Sequence, residues 1–211
     1  MNILKILLVI SSTLSFSYPD HWWEKIDDPN APSWEILPHE ADRSKNEVIL
    51  SKRNELGVFS NFGHAPFIVD RKRFASVEGF WQMMKYPEAN KSMDPRSEYD
   101  YPFKRDAVSQ MHGFEAKKAG DLANVINKKY GFDWVSYKGV RFNYKDHDSG
   151  SKFHYKLIYK AIRAKVMQNF ELKKLLFKTK GLKLLPDHHQ KSNVPASYKY
   201  HEILMDIRKS L

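Results

Sequence analysis

The chain has 211 residues, of which 42% are hydrophobic, and its 13 Phe, 11 Tyr and 5 Trp supply enough apolar surface for a packed domain and argue against disorder. It contains no cysteine, which excludes disulfides, thiolate nucleophiles and thiolate zinc sites. A formal charge of +10 favours anionic partners such as phosphates, nucleic acid or an anionic envelope, but the basic residues are scattered in clusters as short as Arg71-Lys72-Arg73, and neither a long basic run nor a helix-turn-helix supports dedicated DNA reading.

Residues 1–17 read as a signal peptide: a short segment ending at Lys5, an apolar run over 6–14, and Ser15 and Ser17 at −3 and −1 for cleavage before Tyr18. The run is shorter than a comfortable membrane span, so no stable span is expected after cleavage; an uncleaved anchor is the alternative. The expected location is outside the cytoplasm, periplasmic or secreted from a bacterium. Residues 18–42 hold Pro19, Pro29, Pro32 and Pro38 with Trp22, Trp23 and Trp34, which predicts an extended arm that packs its tryptophans onto the domain or serves as a partner-binding lid. Residues 43–211 are expected to form the domain.

Within it, 47–51 reads as a strand, and 66–70 with 73–75 as a hairpin around a charged turn. Ser76 is placed as an N-cap. A helix then runs to just before Pro87, because the residue preceding proline disfavours the helical conformation. Its apolar stripe is Val77, Phe80, Trp81 and Met84; Glu78, Gln82 and Lys85 share a second stripe. That second stripe is either a solvated face or, given the density of phenylalanines around it, a pocket wall. Residues 89–102 read as a polar loop, 108–129 as a helix, and 134–142 as a second hairpin with Gly139 near its turn. Three further helices are predicted over 153–169, 171–179 and 200–211, giving a mainly helical α+β single domain with small antiparallel hairpins.

No P-loop, dinucleotide GxGxxG, HExxH or GxSxG pattern is present. Asp187-His188-His189, with His147, His154 and His201, invites a metal, but adjacent histidines rarely face one ion and no pair has i, i+4 spacing, so no metal and no cofactor is expected. Histidines beside a pocket serve instead as hydrogen-bonding or anion-contacting groups.

The run SNFGHAPFIVDRKRFASVEGFWQMMKYPE at 60–88 resembles the signature of the NADAR family of YbiA-like N-glycosidases. FEAKKAG at 114–120 resembles its AK-x-x-G helix, AIRAKVMQN at 161–169 its A-x-x-A-K-x-x-Q-N helix, and ILMDIR at 203–208 its closing segment. The pieces occur in the family's order across roughly 47–211. The resemblance implies a YbiA-like fold and hydrolysis of an N-glycosidic bond, either ribose–amine or ADP-ribose–base, in a phosphorylated ribosyl compound. ADP-ribosylated nucleic acid is a further candidate partner.

Under that resemblance Glu78 is the carboxylate that stabilises an oxocarbenium-like sugar or activates water. A capping glutamate is the alternative. Asn61 would bind ribose hydroxyls or merely cap a turn, and Lys85 would neutralise a phosphate or the leaving group or lie in solvent. Phe62 or Trp81 would stack on the base, with a core role open for Trp81. Gln82, Lys117, His188 and His189 complete the expected binding set. Two departures stand out. Gly79 follows Glu78 where many members carry His, as in a VEGFWQ-type branch. LLPDHHQ at 184–190 stands where a Trp-Gly segment is usual, so Asp187 or His188 is expected to supply an acid or an orienting partner. A catalytically inactive ADP-ribose or nucleotide-binding module, or an exported interaction protein using its arm, are the competing readings.

Overall fold

The computed structural model describes residues 17–88, 94–145, 149–191 and 193–211; all of the signal segment but Ser17, and His147, lie outside them. The described residues form a mainly helical α+β arrangement with three two-stranded sheets. Strand β1 (Glu47–Ile49) pairs with β6 (Lys183–Leu185), and this pair is parallel, Val48 facing Leu184. Sequence pattern could place the first of these strands but not its distant partner. The other two pairs are the predicted hairpins: β2 (Phe67–Val69) with β3 (Lys72–Phe74), and β4 (Val135–Tyr137) with β5 (Val140–Phe142). Each turns through two residues with left-handed backbone, Asp70 and Arg71 in the first and Lys138 and Gly139 in the second, the twist that suits two-residue hairpin turns.

Helix α1 (Val77–Gln82) is the centre of the molecule and continues into a tighter turn, Met83–Lys85. Ser76 caps it as expected, accepting from the Gly79 amide at 2.9 Å and donating to the Met111 carbonyl at 2.9 Å. Every residue from Val77 to Lys85 is buried, so both stripes face protein. Phe74, Phe80 and Tyr137 pack edge to face beside it, with Phe74 and Phe80 ring centres 4.9 Å apart. Gly79 has a steric reason: a Cβ there would stand 2.5 Å from the Met111 carbonyl oxygen.

The helix predicted over 108–129 is two helices, α2 (Arg105–Ser109) and α3 (Gly113–Lys129). The chain breaks at Gly113, whose φ of +57° no helix interior adopts, and whose amide donates to the Phe62 carbonyl at 3.1 Å. Helices α4 (Ser149–Gln168), α5 (Phe170–Lys178) and α6 (Tyr200–Lys209) complete the fold.

The Lys-x-x-Gln-Asn end of α4 acts as a clamp. Lys165, fully enclosed, donates to the carbonyls of Val58, Ser60 and Gly63 at 2.6, 2.7 and 3.4 Å. Gln168 bonds both the amide and the carbonyl of Ile68, and Asn169 donates to the Pro66 carbonyl. One helix end thus satisfies backbone groups that a loop and an edge strand would leave unpaired.

The amino-terminal arm is built into this body. Trp22 is buried in the core and its indole donates to Glu55 at 2.7 Å, while Trp23 donates to the Glu47 carbonyl at 2.7 Å. Further along, Arg53 forks onto both oxygens of Glu35 and reaches Asp28. The strap so pinned bonds to the segment after β6: the Ile36 amide donates to the Asp187 carbonyl at 2.9 Å, and Glu35 bridges His188.

Candidate functional site

A cleft of about 660 Å³ opens between α1, α3, the 60–62 loop, the strap and the segment after β6. Asn61, Phe62, Glu78, Trp81, Gln82, Lys85, Lys117, Asp187, His188 and His189 all line it. Segments far apart in sequence therefore converge on one concave surface.

Glu78 sits in the first turn of α1 with 6% of its surface exposed. Its amide donates to the Asn61 carbonyl at 2.9 Å, which ties the helix start to the 60–62 loop. Its carboxylate accepts from the Gln82 amide nitrogen at 2.6 Å and forms no ion pair among the described residues. Burial pushes this carboxyl above its usual range, while the Gln82 amide and the charge of Lys85 pull the other way. Lys85, two stripe positions on, is also buried; desolvation brings its ammonium down to about 8, against the attraction of Glu78. It lies 5.3 Å from the centre of the Trp81 ring.

Gln82 owes its position to α3. A Cβ on Gly120 would fall 1.6 Å from Gln82 Oε1, so the side chain fits because residue 120 has none. The Ala-Lys-x-x-Gly pattern has a local meaning here: Ala116 is buried, Lys117 faces the cleft, and Gly120 makes room. Lys117 is at the outer edge, paired with Asp121 one turn on at 2.6 Å.

Asp187 is enclosed on the opposite wall. Its carboxylate takes the Lys52 ammonium, His188 Nδ1 at 3.0 Å, and the Tyr200 hydroxyl at 3.4 Å. Burial raises its pKa, but the bonds from His188 and Lys52 outweigh that and hold it below the ordinary carboxylate range. A carboxylate so held orients its neighbours and has no proton to give, so of its two expected roles the geometry fits the orienting one. His188 is half-buried and His189 exposed. Trp81 is nearly enclosed, its ring 4.2 Å from His154 and 4.8 Å from Tyr144, which leaves little of its face for a ligand.

Several buried polar atoms in the lining have no hydrogen-bond partner among the described residues: Asn61 Oδ1, Gln82 Oε1, both ring nitrogens of His154, and Ser197 Oγ. Unsatisfied buried groups are costly, and their convergence on one cleft suits a polar ligand. Burial, with the nearby charge of Lys85, drives His154 down to about 3, so it is neutral at physiological pH. Among the described residues no group of His, Asp or Glu is arranged to hold a metal ion, and no helix is long and apolar enough to cross a membrane.

No family model matches the chain, and no curated protein matches it significantly. Among solved structures it is similar to the NMR structure of the E. coli protein YbiA. That similarity is 19% in sequence identity, spans 79% of this chain and 84% of that one, and has a TM-score of 0.49.

Lys52, Trp34, His154, Tyr144 and Tyr198 also line the cleft and were not expected there. His154 carried a weak signal, standing opposite the polar side of its own helix. Lys52 carried none, and Trp34 was expected only to pack onto the domain or to belong to a partner-binding lid; both reach the cleft through pairings between distant segments.

Proposed function

We propose that the chain is an N-glycosidase of the NADAR type acting on a phosphorylated ribosyl compound. The observation that carries this reading is Glu78: a carboxylate buried at the wall of a cleft whose lining holds several unsatisfied polar atoms, and partnered by an amide rather than a cation. Burying an unpaired carboxylate is destabilising, and such a group is retained where its charge is used. The ordered resemblance of four segments to the family's motifs supports the same reading.

In the proposed reaction the sugar's C1′ rests against Glu78. The C1′–N bond breaks with its electron pair passing to nitrogen, and the sugar develops positive charge that the carboxylate stabilises. Water bonds to C1′ and gives its proton to Glu78, while the leaving nitrogen takes one from the Lys85 ammonium, whose lowered pKa makes it a competent donor near neutrality. Gln82 fixes the carboxylate, Asn61 Oδ1 accepts from a ribose hydroxyl, and the cations lining the cleft's outer part, Lys117 and Lys52, meet a phosphate.

A binding module that uses the cleft without turnover is the second reading. The same burial favours it, since a Glu78 that stays protonated offers a hydrogen bond in place of a charge. Incubating the protein with ribosylamine phosphates and ADP-ribosylated nucleosides separates the two. Release of ribose phosphate or free base by wild type and not by Glu78→Gln supports the enzyme; tight binding by both with no product supports the module. Residues 1–17 are proposed to direct export, in which case the substrates are met outside the cytoplasm. Mass spectrometry showing an exported chain that begins at Tyr18 would support this.

A further inference from the structure

The cleft is polar at its floor and aromatic at its mouth. Trp34, on the strap, has 43% of its surface exposed, and Phe114, at the start of α3, has 65%. Phe62 joins them, its ring 5.2 Å from that of Phe114 and perpendicular to it. Exposed aromatic rings gathered at one opening are costly to keep in water, and they suit a ligand with a flat apolar portion.

Lys52 stands among these rings. Its ammonium is 5.4 Å from the centre of Trp34 and 5.8 Å from that of Phe62, so two aromatic faces share one cation. The buried Asp187 carboxylate holds it there. Ring faces beside a fixed positive charge fit a planar base attached to an anionic group. Of the two residues expected to stack, Trp81 is largely covered by His154 and Tyr144, and Phe62 packs edge to face against Phe114.

We infer that Trp34 is the base-stacking residue of this cleft, and that the amino-terminal strap gives the site its preference for nucleotides over bare ribosyl phosphates. The base lies on the Trp34 face, the adjoining phosphate is drawn to Lys52, and the ribose enters towards Glu78. The strap's position does not depend on the indole, because Arg53 holds Glu35 and the Ile36 amide bonds Asp187.

This inference rests on the ribosyl-phosphate reading of the cleft, and calorimetric titration with AMP and with ribose 5-phosphate tests the two separately. Wild type is expected to bind AMP more tightly than ribose 5-phosphate. Trp34→Ala should weaken AMP by about 5- to 150-fold, the range that loss of one base–aromatic stack produces, and leave ribose 5-phosphate unchanged. Trp34→Phe should recover most of the AMP affinity. Unchanged AMP binding in Trp34→Ala, or equal weakening of both ligands, would overturn the stacking role and leave the glycosidase reading standing. Failure of wild type to bind either ligand would overturn both.

Discussion

The Gly120→Ala substitution isolates the support behind Glu78, because nothing is removed and one methyl is added. The new Cβ would stand 1.6 Å from Gln82 Oε1 and 2.3 Å from its Cδ, so the amide must swing away and give up its 2.6 Å bond to Glu78. A hydrogen bond to a charged group is worth about 1.5–3 kcal/mol. Replacing glycine by alanine inside a helix returns about 0.5–1 kcal/mol. The net loss is about 0.5–2.5 kcal/mol, a fall in Tm of about 1–10 °C for a chain of this size. Glu78 should titrate higher than in wild type, since Gln82 is one of the groups holding its pKa down. Thermal unfolding and carboxyl-carbon NMR titration read the two effects. A Tm that rises, as helix propensity alone demands, together with an unmoved Glu78 titration would refute the coupling of Gly120, Gln82 and Glu78.

Glu78→Gln should stabilise the protein near neutral pH while removing turnover. The folded-state pKa of Glu78 lies above its unfolded value, so wild type loses stability as pH climbs through that window. The Tm advantage of the variant should therefore grow with pH across it, and a pH-independent difference would count against the burial argument. Lys165→Met leaves three enclosed carbonyls without their donor. It should cost about 3–5 kcal/mol and raise hydrogen exchange selectively at 58–63, a loss below about 1 kcal/mol being the contrary result. Arg53→Ala should cost about 1–3 kcal/mol, since the Glu35 side chain is buried and would lose its fork, while Asp28 is only partly buried. Proteolytic cleavage between 24 and 35 should accelerate as well, and cleavage at the wild-type rate would show that the fork does not hold the strap.

Local chemistry made α1 legible: a Ser cap, an apolar stripe and a following proline fix its start, face and end. The same pattern left Glu78, Gln82 and Lys85 undecided, because a polar stripe reads alike whether it faces water or a second layer of protein. What decides it is α3 lying close across Gln82, possible through Gly120. The break at Gly113 was hidden by apolar spacing that runs on through 108–129, although its φ of +57° needs the glycine found there. The β1–β6 pair joins positions more than a hundred residues apart, and parallel pairing between such distant segments leaves no turn signature. Asp187 was reached through the family's pattern, but its partner Lys52 was not, since only the folded chain brings the two together.

The strap also bears on where a working version of this molecule must start. Begun at Arg43, the polypeptide would lack the indole of Trp22 that fills the space beside Glu55, and the backbone after β6 would lose its neighbour at Ile36. What remains would be an open trough with one side missing. The shortest piece worth expressing for activity measurements is therefore the one that begins at Tyr18, whose own hydroxyl reaches the Lys180 carbonyl at 2.6 Å, just beyond the end of α5.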